Sequence, residues 1–246
     1  MARFTQDDEL AGAEFVDTNL RGARFVRGDL SEIRMRAVLI ESADIDAPWL
    51  GSLLVNGVDV APLVEAELNR RFPGRADRRA ETPEALRAAW SHVEQSWDAA
   101  VVRAEAMPAG TIDISVEGEW TFAQTLRHLV MATDTWLRGA VLKVEQPYHP
   151  AGMPHAEYAT DGYDPSVFST PDPSHDEVLA VRAQRVAMVR DYLADVTPEL
   201  LDETRASPWA PDHQKSVRSC LHTILVEEWE HLRYALRDLD AIDARG

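Results

Sequence analysis

Four long segments, each with an apolar stripe at helical spacing, do most to restrict what this chain can fold into. Thr82-Pro83-Glu84 combines an N-cap residue, a proline at the first helical position and an acid in the first turn. The helix it predicts runs to about Ala106, with Leu86, Trp90, Val93, Trp97 and Val101 on one stripe. Thr121-Phe122-Ala123-Gln124 and Ser174-His175-Asp176-Glu177 read as capping boxes, and they predict helices to about Leu142 and Val196. A fourth helix is expected from about Ser216 to Leu239. Each holds roughly 20 residues, well above the mean globular helix. Long helices of matched length bury their apolar faces on one another, so the pattern predicts a mainly α fold, an up-down four-helix bundle over residues 81–246.

The first fifty residues obey a different period. Leu10, Phe15, Leu20, Phe25, Leu30, Met35, Ile40 and Ile45 are all apolar and lie five apart. A period of five is neither helical nor strand-like; it belongs to solenoid repeats. Ala43-Asp44-Ile45, Thr18-Asn19-Leu20 and Gly28-Asp29-Leu30 resemble the pentapeptide-repeat family pattern of a small residue, a polar residue and an apolar centre. The resemblance implies a short right-handed β-helix over residues 1–50, with the period-five residues inside two coils. Two coils make a weak solenoid with exposed ends. The segment is then a scaffold or interaction surface rather than a catalytic unit.

Residues 51–80 join the two. Asn56-Gly57 lies between short apolar runs and predicts a hairpin. Pro62 opens a short helix to about Asn69, and Pro73-Gly74 with the basic run through Arg79 reads as a linker. Residues 143–173 carry six prolines and many aromatics, and Arg205 to Lys215 carries Trp209; both read as loops. Tyr148, Tyr158, Tyr163 and Phe168 predict that the longer loop is ordered, as functional loops of this length are.

Charge and cysteine content narrow the function. The formal charge is −17, which repels nucleic-acid phosphate. Residues 1–47 hold ten acids and six arginines, a net of −4, so most of the acidity lies outside the repeat. That distribution disfavours a DNA-mimicking rod. The single Cys220 excludes an internal disulfide and a cysteine-rich zinc site. No apolar run approaches the ~20 residues that span a bilayer, and MARFTQDDEL lacks a signal-peptide core, so a cytoplasmic protein without a membrane partner is expected.

Any metal must therefore be held by histidine and carboxylate. On the fourth helix Glu227 and His231 are four apart and share a face. Glu228 is the second choice for the carboxylate. His222 is nine residues before His231 and points to the other side of the helix. His128, inside the second helix among Leu126, Leu129 and Val130, is the candidate third ligand, though a lone histidine there is more often a hydrogen-bonded core residue; His92 on the first helix is the reserve. Taken alone, an E-x-x-x-H pair is more often a surface ion pair than a site.

The stretch Glu119-Trp120-Thr121-Phe122-Ala123-Gln124-Thr125-Leu126-Arg127-His128-Leu129, with Glu227-Glu228-Trp229-Glu230-His231, resembles the DinB superfamily over about residues 82–240. The resemblance implies a metal triad of His128, Glu227 and His231 around a divalent ion, zinc before nickel, iron or manganese. It also implies a transferase that sets a low-molecular-weight thiol (mycothiol, bacillithiol or glutathione) against a small electrophile. The Ala- and Arg-rich composition, as a high-GC actinobacterial genome gives, points to mycothiol. The aromatic loop 143–173 would wall or cover the site. A metal-dependent hydrolase or isomerase, and a non-enzymatic scaffold acting through the repeats, are the competing readings. A homodimer is compatible with all of them.

Overall fold

The computed structural model describes residues 3–5 and 7–245. The chain divides into two compact units, Met1–Asp46 and Ala47–Gly246. The larger is mainly helical, with two small two-stranded sheets. Among the described residues no helix is long and apolar enough to cross a membrane.

In the first unit the five-residue period appears as a backbone period. Positive φ recurs at Gly12, Asp17, Gly22, Arg27, Glu32 and Ala37. Every second of these positions sits in a turn closed by an i to i+3 hydrogen bond, from Ala13 to Leu10, Ala23 to Leu20 and Ile33 to Leu30. The expected burial is not found. Phe15 is 54% and Phe25 62% exposed, as are Leu10, Leu20, Leu30, Met35, Ile40 and Ile45 to similar degrees. No strand is assigned among the described residues of this unit. The physical reason is size: eight repeats enclose too little volume to cover their own apolar side chains.

The second unit opens with the expected hairpin. Strands β1 (Leu54–Val55) and β2 (Val58–Asp59) pair antiparallel across Asn56 and Gly57. Both turn residues have positive φ, 51° and 84°, which the right-handed strand twist requires of a two-residue turn. Helix α1 spans Ala61–Arg71. The basic run expected as a linker instead forms a 3-10 helix over Arg75–Arg79. Arg75 is buried and bridges Glu65 at 2.9 Å and Glu230 at 3.0 Å, so this segment is docked on the helical body.

Helix α2 (Pro83–Ala106) starts where Thr82 accepts a hydrogen bond from the Ala85 amide. Helix α3 (Phe122–Thr133) carries the reciprocal Thr121–Gln124 capping box and continues as a π-helical segment, Asp134–Val141. Helix α4 spans His175–Asp195 with the Ser174–Glu177 capping box. After a short α5 (Pro198–Asp202), residues 205–215 are not a loop. Strands β3 (Thr204–Ser207) and β4 (Ala210–Ser216) form a hairpin whose tip holds Trp209. Helix α6 is the longest, Val217–Asp243. Helix α3 packs on α4 and α6, and α2 packs on α4 and α6. Trp90, Leu86, Leu126, Leu129, Leu137, Ile224, Trp229 and Leu232 fill the space between them.

Two ion pairs cross this core. Arg182 on α4 bonds Glu228 on α6, both almost fully buried. Arg185, one turn later, bonds Asp134 at 2.7 Å. Desolvation pushes the Glu228 carboxyl above the usual range, opposed by Arg182. Asp134 also accepts from the His149 amide at 2.8 Å, so the first turn of the π-helix ties α4 to the 143–173 segment.

Candidate metal centre

Helices α3 and α6 bring three ligand-type side chains together. One nitrogen each of His128 and His231 and one oxygen of Glu227 lie within 4.8 Å of one another. Glu227 Oε2 is 3.2 Å from His231 Nε2 and 3.7 Å from His128 Nε2. The first separation follows from helical geometry, since residues four apart share a face. The second depends on how α3 packs on α6.

Neighbouring groups orient the two rings. His128 Nδ1 is 3.1 Å from the Met153 carbonyl oxygen. An Nδ1–H donating there leaves Nε2 as the lone-pair atom facing Glu227, the arrangement that orients metal-ligating histidines. Trp120, just before the α3 N-cap, packs on both imidazoles, with centroids 4.5 Å from His128 and 5.8 Å from His231. Burial raises the Glu227 carboxyl, but the two imidazoles beside it outweigh that and hold it below the usual carboxylate range. Burial pushes the His231 imidazole down, against the pull of Glu227. A carboxylate beside two imidazoles is a donor set that suits a borderline divalent ion. Ligand atoms about 2.0–2.2 Å from one tetrahedral ion stand roughly 3.4 Å apart, close to both measured distances to Glu227. The residues present fit the group.

The competing candidates lie elsewhere. His222 Nε2 is 2.8 Å from the Ala80 carbonyl oxygen, to which it donates. His92 Nδ1 lies 3.8 Å from Asp77. Glu228 faces Arg182 in the core. None of these belongs to the cluster of ligand atoms.

A cavity of about 150 Å³ opens beside the triad, and its lining includes His128, Glu227, Met131, Trp136, His155 and Trp209, with Thr135. Thr135 and Trp136 come from the π-helical segment, a backbone form common at functional sites. His155 comes from the 143–173 segment, which borders the cavity through this residue. Its tether is Arg127, whose guanidinium donates to the carbonyls of Ala151 (2.9 Å), Pro171 (2.9 Å) and Thr170 (3.1 Å). Tyr148, Tyr158 and Phe168 pack together within the segment. Sequence reading assigned no role to Trp120, His155 or Trp209. Trp120 was legible only as a large residue preceding a capping box, and the other two reach the cavity through loop and hairpin geometry.

The fold and the site describe a helical domain with a carboxylate and two histidines converging between two helices. The DinB superfamily model matches residues 60–235, and the chain belongs to that superfamily. Searches of curated proteins and of solved structures return no significant match.

Proposed function

We propose that the helical domain is a metal-dependent transferase, built as a four-helix bundle, that sets a small-molecule thiol of the mycothiol type against a small electrophile. The observation that carries this reading is the convergence of His128, Glu227 and His231 beside a cavity of about 150 Å³. Three protein ligands on a divalent ion, zinc first, leave coordination open, as catalytic sites do. The ion would supply positive charge that lowers the pKa of a thiol bound to it. The protein's part is positional. Trp120 and the Met153 carbonyl hold the imidazoles in place, while Met131 and Trp136 supply apolar walls that limit water at the thiol. The cavity volume suits a small electrophile.

The test is direct. Protein purified without a histidine tag is analysed for metal, then assayed for thiol consumption with mycothiol against a panel of small electrophiles, with and without chelation. Stoichiometric metal together with metal-dependent thiol consumption supports the reading. Stoichiometric metal with hydrolysis or isomerisation and no thiol requirement replaces it. Absence of metal binding overturns it.

For the first unit we infer two stacked repeat coils serving as a scaffold. The support is the five-residue recurrence of positive φ and the Arg21–Glu41 ion pair, 3.5 Å apart and twenty residues apart in sequence, which is one coil of four repeats.

A further inference from the structure

A second, larger cavity adjoins the one at the triad. Its volume is about 440 Å³ and its lining is His155, Asp161, Tyr163 and Trp209. That volume lies within the range of small-molecule sites. His155 and Trp209 border both cavities, so they form the wall between them.

We propose that this outer cavity is a binding site for a small organic cation, an alkylammonium or trimethylammonium group. Three features support that chemistry. The first is ring geometry. Tyr163 and Trp209 stand 5.0 Å apart at 70°, and Tyr158 stands at 90° to Trp209 behind them. Rings at steep angles make a corner, which fits a rounded head group. A flat sugar ring would need one open aromatic platform. The second is charge. Among the lining residues the only acid is Asp161, and no Lys or Arg borders the cavity. An anionic ligand meets repulsion there, whereas an ammonium meets a carboxylate and aromatic faces, the combination that recognises quaternary ammonium groups. The third is packing. His155 stands edge-on to Trp209 and Tyr158, with Nε2 3.4 Å from Asp161 Oδ2, so the side chains of the corner pack on one another. The −17 charge of the whole chain draws cations towards its surface.

This inference goes beyond the transferase reading and does not depend on it, because none of the four lining residues is a proposed metal ligand. The experiment is isothermal titration of the full chain with choline and with 3,3-dimethylbutan-1-ol, its uncharged isostere, both before and after chelation. Choline is expected to bind at millimolar or lower concentration, with the isostere at least about tenfold weaker. Asp161→Asn and Trp209→Leu should each weaken choline about tenfold, with far-UV circular dichroism unchanged. Glu199→Gln, a change of the same charge on an exposed helix start, should leave binding as it was. No heat with choline, or equal binding of the isostere, overturns the proposal. Equal effects of Asp161→Asn and Glu199→Gln would also overturn it, since the acidic surface as a whole would then be binding the cation. Loss of metal without loss of choline binding would separate the fate of this site from that of the triad.

Discussion

His128 Nδ1 and the carbonyl oxygen of Met153 stand 3.1 Å apart, and that contact joins one imidazole of the candidate triad to the segment bordering it. The residue before His128 repeats the link, since the Met153 amide donates to the Arg127 carbonyl at 3.1 Å. The orientation of His128 and the placement of the 143–173 segment are thus linked through two adjacent residues of α3.

Removing the Arg127 guanidinium should loosen that segment without unfolding the helices. Three carbonyls lose a charge-assisted donor, each such bond contributing about 1.5–3 kcal/mol and not additively. Hydrogen exchange should show the amides of residues 150–170 opening about 3 kcal/mol more easily in Arg127→Ala. Arg127→Lys should rescue little, because an ammonium cannot span the same fork. Unchanged protection in Arg127→Ala would remove the tether from the account.

Metal content should separate the two histidines of α6. His231→Ala is expected to abolish stoichiometric metal, measured by plasma mass spectrometry on tag-free protein. His222→Ala should retain it, since His222 is engaged with Ala80. The reverse pattern would sink the triad and the transferase reading with it.

The buried pair of Arg182 and Glu228 should be costly to break from one side. Glu228→Ala leaves a buried guanidinium without its carboxylate, so unfolding by urea should show a loss of about 3–5 kcal/mol. The double change Arg182→Met with Glu228→Leu should recover most of that loss. If Glu228→Ala alone proves neutral, the pair does not hold α4 to α6.

Acid should loosen the start of the aromatic segment. Burial and the Arg185 guanidinium lower the His149 pKa below its ordinary value, with Asp134 opposing. The folded value is depressed, so the neutral ring favours the folded form. That stability is present above the unfolded pKa of about 6.5 and is lost as pH falls through the lower folded value. The Ala151 amide donates to His149 Nδ1 at 3.1 Å, a bond that protonation of Nδ1 removes. The protection factor of the Ala151 amide should therefore fall as pH drops through the lowered folded value, and His149→Gln should flatten that dependence.

The first unit should be dispensable for the site. Deleting residues 1–46 is expected to leave metal stoichiometry and helical content unchanged, because the triad and both of its helices belong to the second unit. Residues 1–50 alone should show no cooperative melt, since Phe15, Phe25 and their period-five neighbours remain exposed. A sharp transition from that fragment would contradict the size argument.

Local signals in the sequence determined the helices. Thr82, Thr121 and Ser174 act on amides within three residues of themselves, so their caps can be read without knowing what packs nearby. The one-turn spacing of Glu227 and His231 is equally local. The period of five determined the backbone turns of the first unit but not burial, which needs more layers than eight repeats supply. Tertiary packing decided the rest. That His128, ninety-nine residues before Glu227, meets it at 3.7 Å is a property of how α3 lies on α6. Arg75 looked like part of a linker because its partner, Glu230, is 155 residues away. His155 and Trp209 become cavity walls only because a tethered loop and a hairpin tip meet above the triad, and no residue pattern within either segment encodes the position of the other.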